Sequence, residues 1–295
     1  MNDFFSAELW EAAWKKDTDL KLERMKRLGV NLARSFDPKA EAFNEQSFSE
    51  EGRQRSKRIM NWMEGQGVQF QNISILDIGA ASGVFTVPFA ERGARITAVE
   101  SSPPLVELLR KNTSPFAEQV NIVPMPFEEI DVAEHGWEKA FDLVFVSMSP
   151  VVYNWPSVEK LLQCSRNYCY ISMPVVPSQH SLVEEIWPLV TGRAYQTILS
   201  EMGYLLHLLY LKGYSYESLI TKEEKTKEIS SAAALQEAMT WLSHHRIPED
   251  ERNRGIVADY LEQAYPSGKV VIREGGRYGK VLIRLKDQHM FTRES

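Results

Sequence analysis

Cysteine is nearly absent from this 295-residue chain, which has only Cys164 and Cys169. That is too few for a zinc cluster, and their apolar surroundings read as core, so a reducing, cytoplasmic compartment is expected. Long apolar runs are missing too. Nothing approaches the roughly 18 uninterrupted apolar residues of a membrane span. The N-terminus, MNDFFSAELWEAAWKK, mixes acids among its apolar residues and lacks a basic flank, unlike a signal peptide. Positive charge is not in excess either. With 34 basic and 40 acidic residues the net charge is −6, so the molecule as a whole repels polyphosphate and nucleic acid is disfavoured as a partner. The 43% hydrophobic and 25% charged residues that are present suit one folded core with decorations.

Helical spacing dominates up to about residue 70: Leu9, Trp10, Ala13 and Trp14 recur on one face, and Ile59, Trp62 and Met63 on another. The i, i+4 pair Trp10 and Trp14 is read as a helix packed on the core in preference to a lid. The basic run Arg53, Arg55, Lys57 and Arg58 is read as a solvated face. From Ile73 the texture changes to short β-branched runs alternating with helical stretches, the pattern of βα units in a parallel sheet. Five strands are expected: Ile73 to Ile78, Arg95 to Val99, Val120 to Pro124, Leu143 to Ser147 and Tyr168 to Met173. Helix follows from about Leu182 to Lys212, a sixth strand at Tyr216 to Thr221, and helices around Ala232 to His244 and Glu249 to Gln263. The closing KVVIREGGRYGKVLIRLK holds two alternating runs around Gly275-Gly276, which predicts a hairpin. His244 and His245 are adjacent, point in different directions on a helix, and cannot make the i, i+4 pair of a zinc site. No metal site is expected.

The chemistry is concentrated at Ile75-Leu76-Asp77-Ile78-Gly79-Ala80-Ala81-Ser82-Gly83, a buried strand running into small residues and then a helix. Small residues there let backbone N–H groups approach a ligand beside the positive end of a helix. The spacing is D-x-G-x-x-x-G and lacks the G-x-G-x-x-G of the nicotinamide fingerprint, which disfavours an oxidoreductase. Glu100 ends the next strand, where a carboxylate can accept from the two hydroxyls of a ribose.

With LDIGAASG and AVESS the chain resembles the class I S-adenosylmethionine-dependent methyltransferases in their first two motifs. The resemblance implies an α/β, Rossmann-like sheet of about seven strands with the last one antiparallel, to which the helical stretches read above add an N-terminal helical cap and helical insertions. It covers roughly Ile73 to Met173; together with the helical spacing on either side it gives an expected division into a cap, residues 1–70, and a methyltransferase domain, residues 71–295, with helical additions at 182–212 and 232–263. The resemblance further implies S-adenosyl-L-methionine as cofactor, lined by Asp77, Gly79, Ala80, Ala81 and Gly83, with Glu100 and Ser101 at the ribose. Many members have glycine where Ala81 stands. After strand three, Phe127 is placed to stack on adenine and Glu128 to accept from its amino group, with plain surface positions as the alternative. FDLVFVSMSP matches the fourth strand, so Ser147 falls at the cofactor's methyl end. Because the Asn/Asp-Pro-Pro-aromatic signature of DNA-amino methyltransferases is missing there, an exocyclic base nitrogen is disfavoured as acceptor.

Just past that strand, Ser149, Tyr153, Asn154 and Trp155 are the candidate acceptor contacts, since ligands bind beyond the carboxyl ends of parallel strands. Loop packing is the competing reading. No residue is identified as a base, His180 and Tyr153 being only nominated. The expected activity is methyl transfer by in-line displacement to a small molecule. An RNA or protein methyltransferase, or a non-catalytic binder of the cofactor, stays open.

Overall fold

The structure, a computed structural model, describes residues 3–27, 34, 37–195, 201–244 and 247–286; His245 lies outside the described residues. Three N-terminal helices come first: α1 (Ala7–Arg27), α2 (Ala40–Phe48) and α3 (Glu50–Gly65). Ser49 starts α3 by accepting from the Gly52 N–H, with Glu50 and Glu51 in the first turn where the helix dipole favours acids. Arg53, Arg55, Lys57 and Arg58 are exposed on it, as a solvated face requires.

The α/β part then alternates. Strand β1 (Ser74–Ile78) is followed by α4 (Thr86–Glu91), β2 (Arg95–Val99), α5 (Pro103–Thr113), β3 (Val120–Val123), β4 (Phe141–Ser147), α6 (Trp155–Cys164) and β5 (Ser165–His180). Next come α7 (Ser181–Thr191), α8 (Glu201–Leu211), β6 (Ser215–Ser230), α9 (Ser231–His244), α10 (Glu251–Ala264) and β7 (Lys269–Arg284). The seven strands form one sheet in the order β3-β2-β1-β4-β5-β7-β6. β1 to β5 pair in parallel. β7 is antiparallel to its neighbours: Leu285 donates its N–H to the Asn167 carbonyl at the start of β5, while Arg273, earlier in β7, donates to Ser181 just past the end of β5.

Register is what positions the site. Ile78 pairs with Val99 and Val146, and Val99 with Val123, so β1 to β4 end level and the loops that follow them share one edge of the sheet.

The chain divides into two compact units, one of Met1–Met173, Glu201–Leu219 and Lys280–Ser295, the other of Pro174–Ser200 and Ile220–Gly279. The first has its core on the sheet, where Ile75, Phe89, Leu143, Phe145 and Tyr170 meet Met60 and Met63 of α3. In it Trp14 is fully buried and stacks on Tyr204 of α8, a core position and not a lid. The second unit has its own core, with Leu182 and Ile186 of α7, Ala238 and Met239 of α9, Val257 and Leu261 of α10, and Val270 and Ile272 of β7.

The expected terminal hairpin does not form. Gly275 and Gly276 lie inside one 16-residue strand, β7, and neither has a positive φ. A Cβ on Gly275 would sit 2.0 Å from the Glu223 carbonyl oxygen, so this glycine serves a close approach of β7 to β6 and not a turn. β5 and β6 also run well beyond the expected Tyr168 to Met173 and Tyr216 to Thr221, each being 16 residues long.

Candidate active site

The turn after β1 is built from left-handed residues. Gly79 has φ of 72°, Ala81 51° and Gly83 95°. The chain leaves the strand so sharply that Gly79 and Ala80 both donate their N–H groups to the Val99 carbonyl, and Gly83 donates back to Ala80. Ala81 tolerates a conformation that costs an L-residue roughly 1–2 kcal/mol, which is why glycine is the commoner choice there. At Gly79 no side chain fits: a Cβ would lie 2.7 Å from Oγ of Ser149, on the loop after β4.

Glu100 faces this turn from the end of β2 and is buried. Its Oε2 accepts from the Ala81 N–H at 2.9 Å, and its Oε1 accepts from the Ser101 and Ser102 N–H groups at 2.8 Å each. A carboxylate offers about four acceptor positions, so about one stays open. Asp77, inside β1, accepts from the Thr86 hydroxyl at 2.6 Å. Burial pushes its carboxyl up to about 7; the Thr86 hydrogen bond works against this and the negative charge of Glu100 adds to it.

The other two loops are held by α6. Phe127 is buried and has the Lys160 ammonium 4.8 Å from its ring centroid, while Glu128 is exposed. Lys160 also donates to the carbonyls of Phe127 and Glu128, fixing the loop after β3. Past β4, the Ser147 hydroxyl pairs with that of Ser172 at 3.0 Å. Met148 is exposed and left-handed, with φ of 56°, a strained position for a side chain.

Asn154 caps α6: its Oδ1 accepts from the Ser157 N–H at 2.9 Å in a capping box. Trp155 is buried, its indole N–H donating to Glu159 at 2.7 Å. Both are engaged in the helix. Tyr153 is half-buried, its carbonyl accepts from the Thr18 hydroxyl of α1, and burial, then the charge of Glu128, push its phenol up.

The structure thus brings Asp77, Gly79 to Gly83, Glu100, Ser101 and Ser149 together. His180 stands in the second unit, buried, where its Nδ1 caps α7 by accepting from Val183 and its Nε2 donates to Glu237 at 2.9 Å. Glu237 and Glu274 there are bridged by the Lys227 ammonium at 2.7 and 3.0 Å, which fills the place a cation would take. Thr86, Met148 and Lys160 escaped the sequence reading. A threonine opening a helix, a methionine in a loop and one lysine on a largely buried helix carry no local signal.

Residues 75–169 match the family model described as a methyltransferase domain. The match spans about a third of the chain, and over it the segment is similar to methyltransferase domains. The strand order, with the antiparallel last strand, is Rossmann-like. No curated protein matches the chain. Among solved structures, the YcgJ protein of Bacillus subtilis is similar at 12% identity, covering 77% of this chain and 98% of its own, with a TM-score of 0.47. Magnesium protoporphyrin IX methyltransferase of Synechocystis PCC 6803, with bound SAM, is similar at 11% identity over 72% of this chain and 89% of its own, with a TM-score of 0.41. Precorrin-6y C5,15-methyltransferase of Geobacter metallireducens GS-15 is similar at 16% identity over 80% and 88%, with a TM-score of 0.42. Likenesses this distant bear on neither the acceptor nor the site residues of the present enzyme.

Proposed function

We propose that this methyltransferase carries a methyl group to a small-molecule acceptor, with the cofactor laid along the turn Gly79 to Gly83 and its ribose on Glu100. The observation that carries the reading is the Glu100 carboxylate, buried, held by three backbone N–H groups and left with about one acceptor position for a hydroxyl. The residues present fit the cofactor. The buried Glu100 keeps about one acceptor position for a ribose hydroxyl beside a turn of small residues, and Ser101 stands beside it.

When bound, the cofactor supplies an activated methyl on a sulfonium centre. The chain's own part is to bind, orient and exclude water, and positioning of that kind can contribute about 7–11 kcal/mol. Asp77 and Thr86 brace β1 beneath the turn. Phe127 and Glu128 border the adenine end and Ser147 the methyl end, while Ser149 and Tyr153 face the acceptor. Burial and then the charge of Glu128 push the Tyr153 phenol up, which favours it as a hydrogen-bond donor to the acceptor.

A small acceptor is favoured by the contact of α1 with the loop after β4. Thr18 of α1 binds the loop after β4 at Tyr153, so a helix roofs the edge where the methyl would point. A roofed pocket shuts out bulk water and a duplex alike. Among the described residues no helix is long and apolar enough to cross a membrane, and the two free cysteines, Cys164 and Cys169, suit the reducing, cytoplasmic compartment expected from the sequence.

The test is methyl transfer from labelled S-adenosylmethionine into fractionated cell extract. Label in the low-mass fraction that disappears with Gly79→Val supports the proposal. Label mainly in RNA or protein overturns it.

A further inference from the structure

The hydroxyl of Ser102 opens α5 but does not cap it. Ser102 is the N-cap residue, yet its side chain accepts no hydrogen bond from the helix. The next two residues, Pro103 and Pro104, have no N–H to offer, so the usual capping donors are reduced to that of Leu105. Instead the Ser102 hydroxyl, 1% exposed, donates to Oδ1 of Asp37 at 2.6 Å. That length is typical of a charge-assisted O–H to carboxylate bond. The same residue's backbone N–H is one of the three that hold the Glu100 carboxylate.

Asp37 is itself held in place. It precedes α2, whose Ala40 and Phe43 pack with Leu105 and Leu108 of α5 and with Ala81 of the turn. One turn on, Asn44 accepts from the Asn112 amide at 2.8 Å, and the same amide group donates to the Ser82 carbonyl. The segment 37–48 is therefore tied both to the loop that carries Glu100 and to the glycine turn.

We infer that Asp37 is a positioning residue of the cofactor site, orienting Glu100 through Ser102. This rests on the reading of Glu100 as the ribose acceptor. By drawing the Ser102 hydroxyl away from α5, Asp37 fixes the peptide that supports Glu100 Oε1, and so sets the direction of the open acceptor position on that carboxylate. A capping role and a positioning role are thus separable. Without Asp37 the Ser102 hydroxyl is free to cap α5 through the Leu105 N–H, so folding is kept while the carboxylate loses its alignment.

The experiment is calorimetric titration of the full chain with S-adenosylhomocysteine, which requires no acceptor, together with the thermal midpoint of each variant. Asp37→Ala is expected to raise Kd about five- to tenfold with the midpoint held, and Asp37→Asn, whose amide oxygen still accepts from Ser102, to recover most of that loss. In a Ser102→Ala background Asp37→Ala should add nothing further to Kd. An Asp37→Ala affinity equal to wild type overturns the inference, as does a full additional loss in the Ser102→Ala background. If the wild type itself gives no heat with S-adenosylhomocysteine, the ribose reading of Glu100 falls, and this assignment with it.

Discussion

The Ala81 N–H donates to Oε2 of Glu100 across 2.9 Å, joining the turn after β1 to the end of β2. One carboxylate therefore serves two ends: it braces the glycine turn and presents an acceptor toward it. Glu100→Ala should weaken binding of S-adenosylhomocysteine by about 1.5–3 kcal/mol. From sequence alone little loss of folding stability is expected from that change. The three N–H groups that would lose their acceptor imply instead a cost on the order of 2 kcal/mol or more. Calorimetry and urea unfolding on the same variant check both, and an unchanged unfolding midpoint would count against the bracing role.

Gly79→Ala should lower stability by about 1–3 kcal/mol, because the new Cβ meets Ser149 and the backbone stays left-handed. Ser149→Gly in the same chain removes the colliding atoms and should return part of the loss, the rest being backbone strain. Urea melts of the two single variants and the double variant measure it. Strict additivity would mean that Ser149 is not what excludes a side chain from Gly79.

Asp77 titrates in the fold at about 7, against 3.8 for an ordinary aspartate. Between about pH 4 and pH 7 the folded protein thus holds a proton that the unfolded chain has released, so this group makes stability fall as pH rises through that window and level off above it. Asp77→Asn removes that component. Unfolding free energies at about pH 5 and about pH 8 should differ more in the wild type than in the variant; an equal difference would show that Asp77 is already ionised in the fold.

Gly275→Ala should destabilise the protein by about 1–3 kcal/mol or more, since its Cβ would press on the Glu223 carbonyl. At Gly276 the nearest atom is the Tyr278 hydroxyl at 3.4 Å, so Gly276→Ala should cost well under about 1 kcal/mol. A hairpin turn would make both substitutions costly. Thermal melts of the two variants distinguish a strand from a turn.

Sequence alone determined β1 to β4, the turn between β1 and α4, and the place of Glu100. Each is written in neighbouring residues: β-branched runs about five long, small residues where the chain must double back, an acid closing a strand. The solvated basic face of α3 and the core position of Trp14 were legible for the same reason, through helical spacing. Tertiary structure alone decided the rest. Gly275-Gly276 has the local look of a turn, and only the nearness of Glu223 on another strand makes it extended. β5 and β6 outrun their apolar patterns because β7 pairs along them, supplying hydrogen bonds that the exposed, charged half of β6 does not advertise. Asn154 and Trp155 read equally well as ligand contacts until α6 takes their polar groups for its own first turns. The tie between Asp37 and Ser102 spans 65 residues, and no local period encodes a contact at that separation. It exists because α2 packs on α5, an outcome of burial summed over many side chains and not of any pattern within one segment.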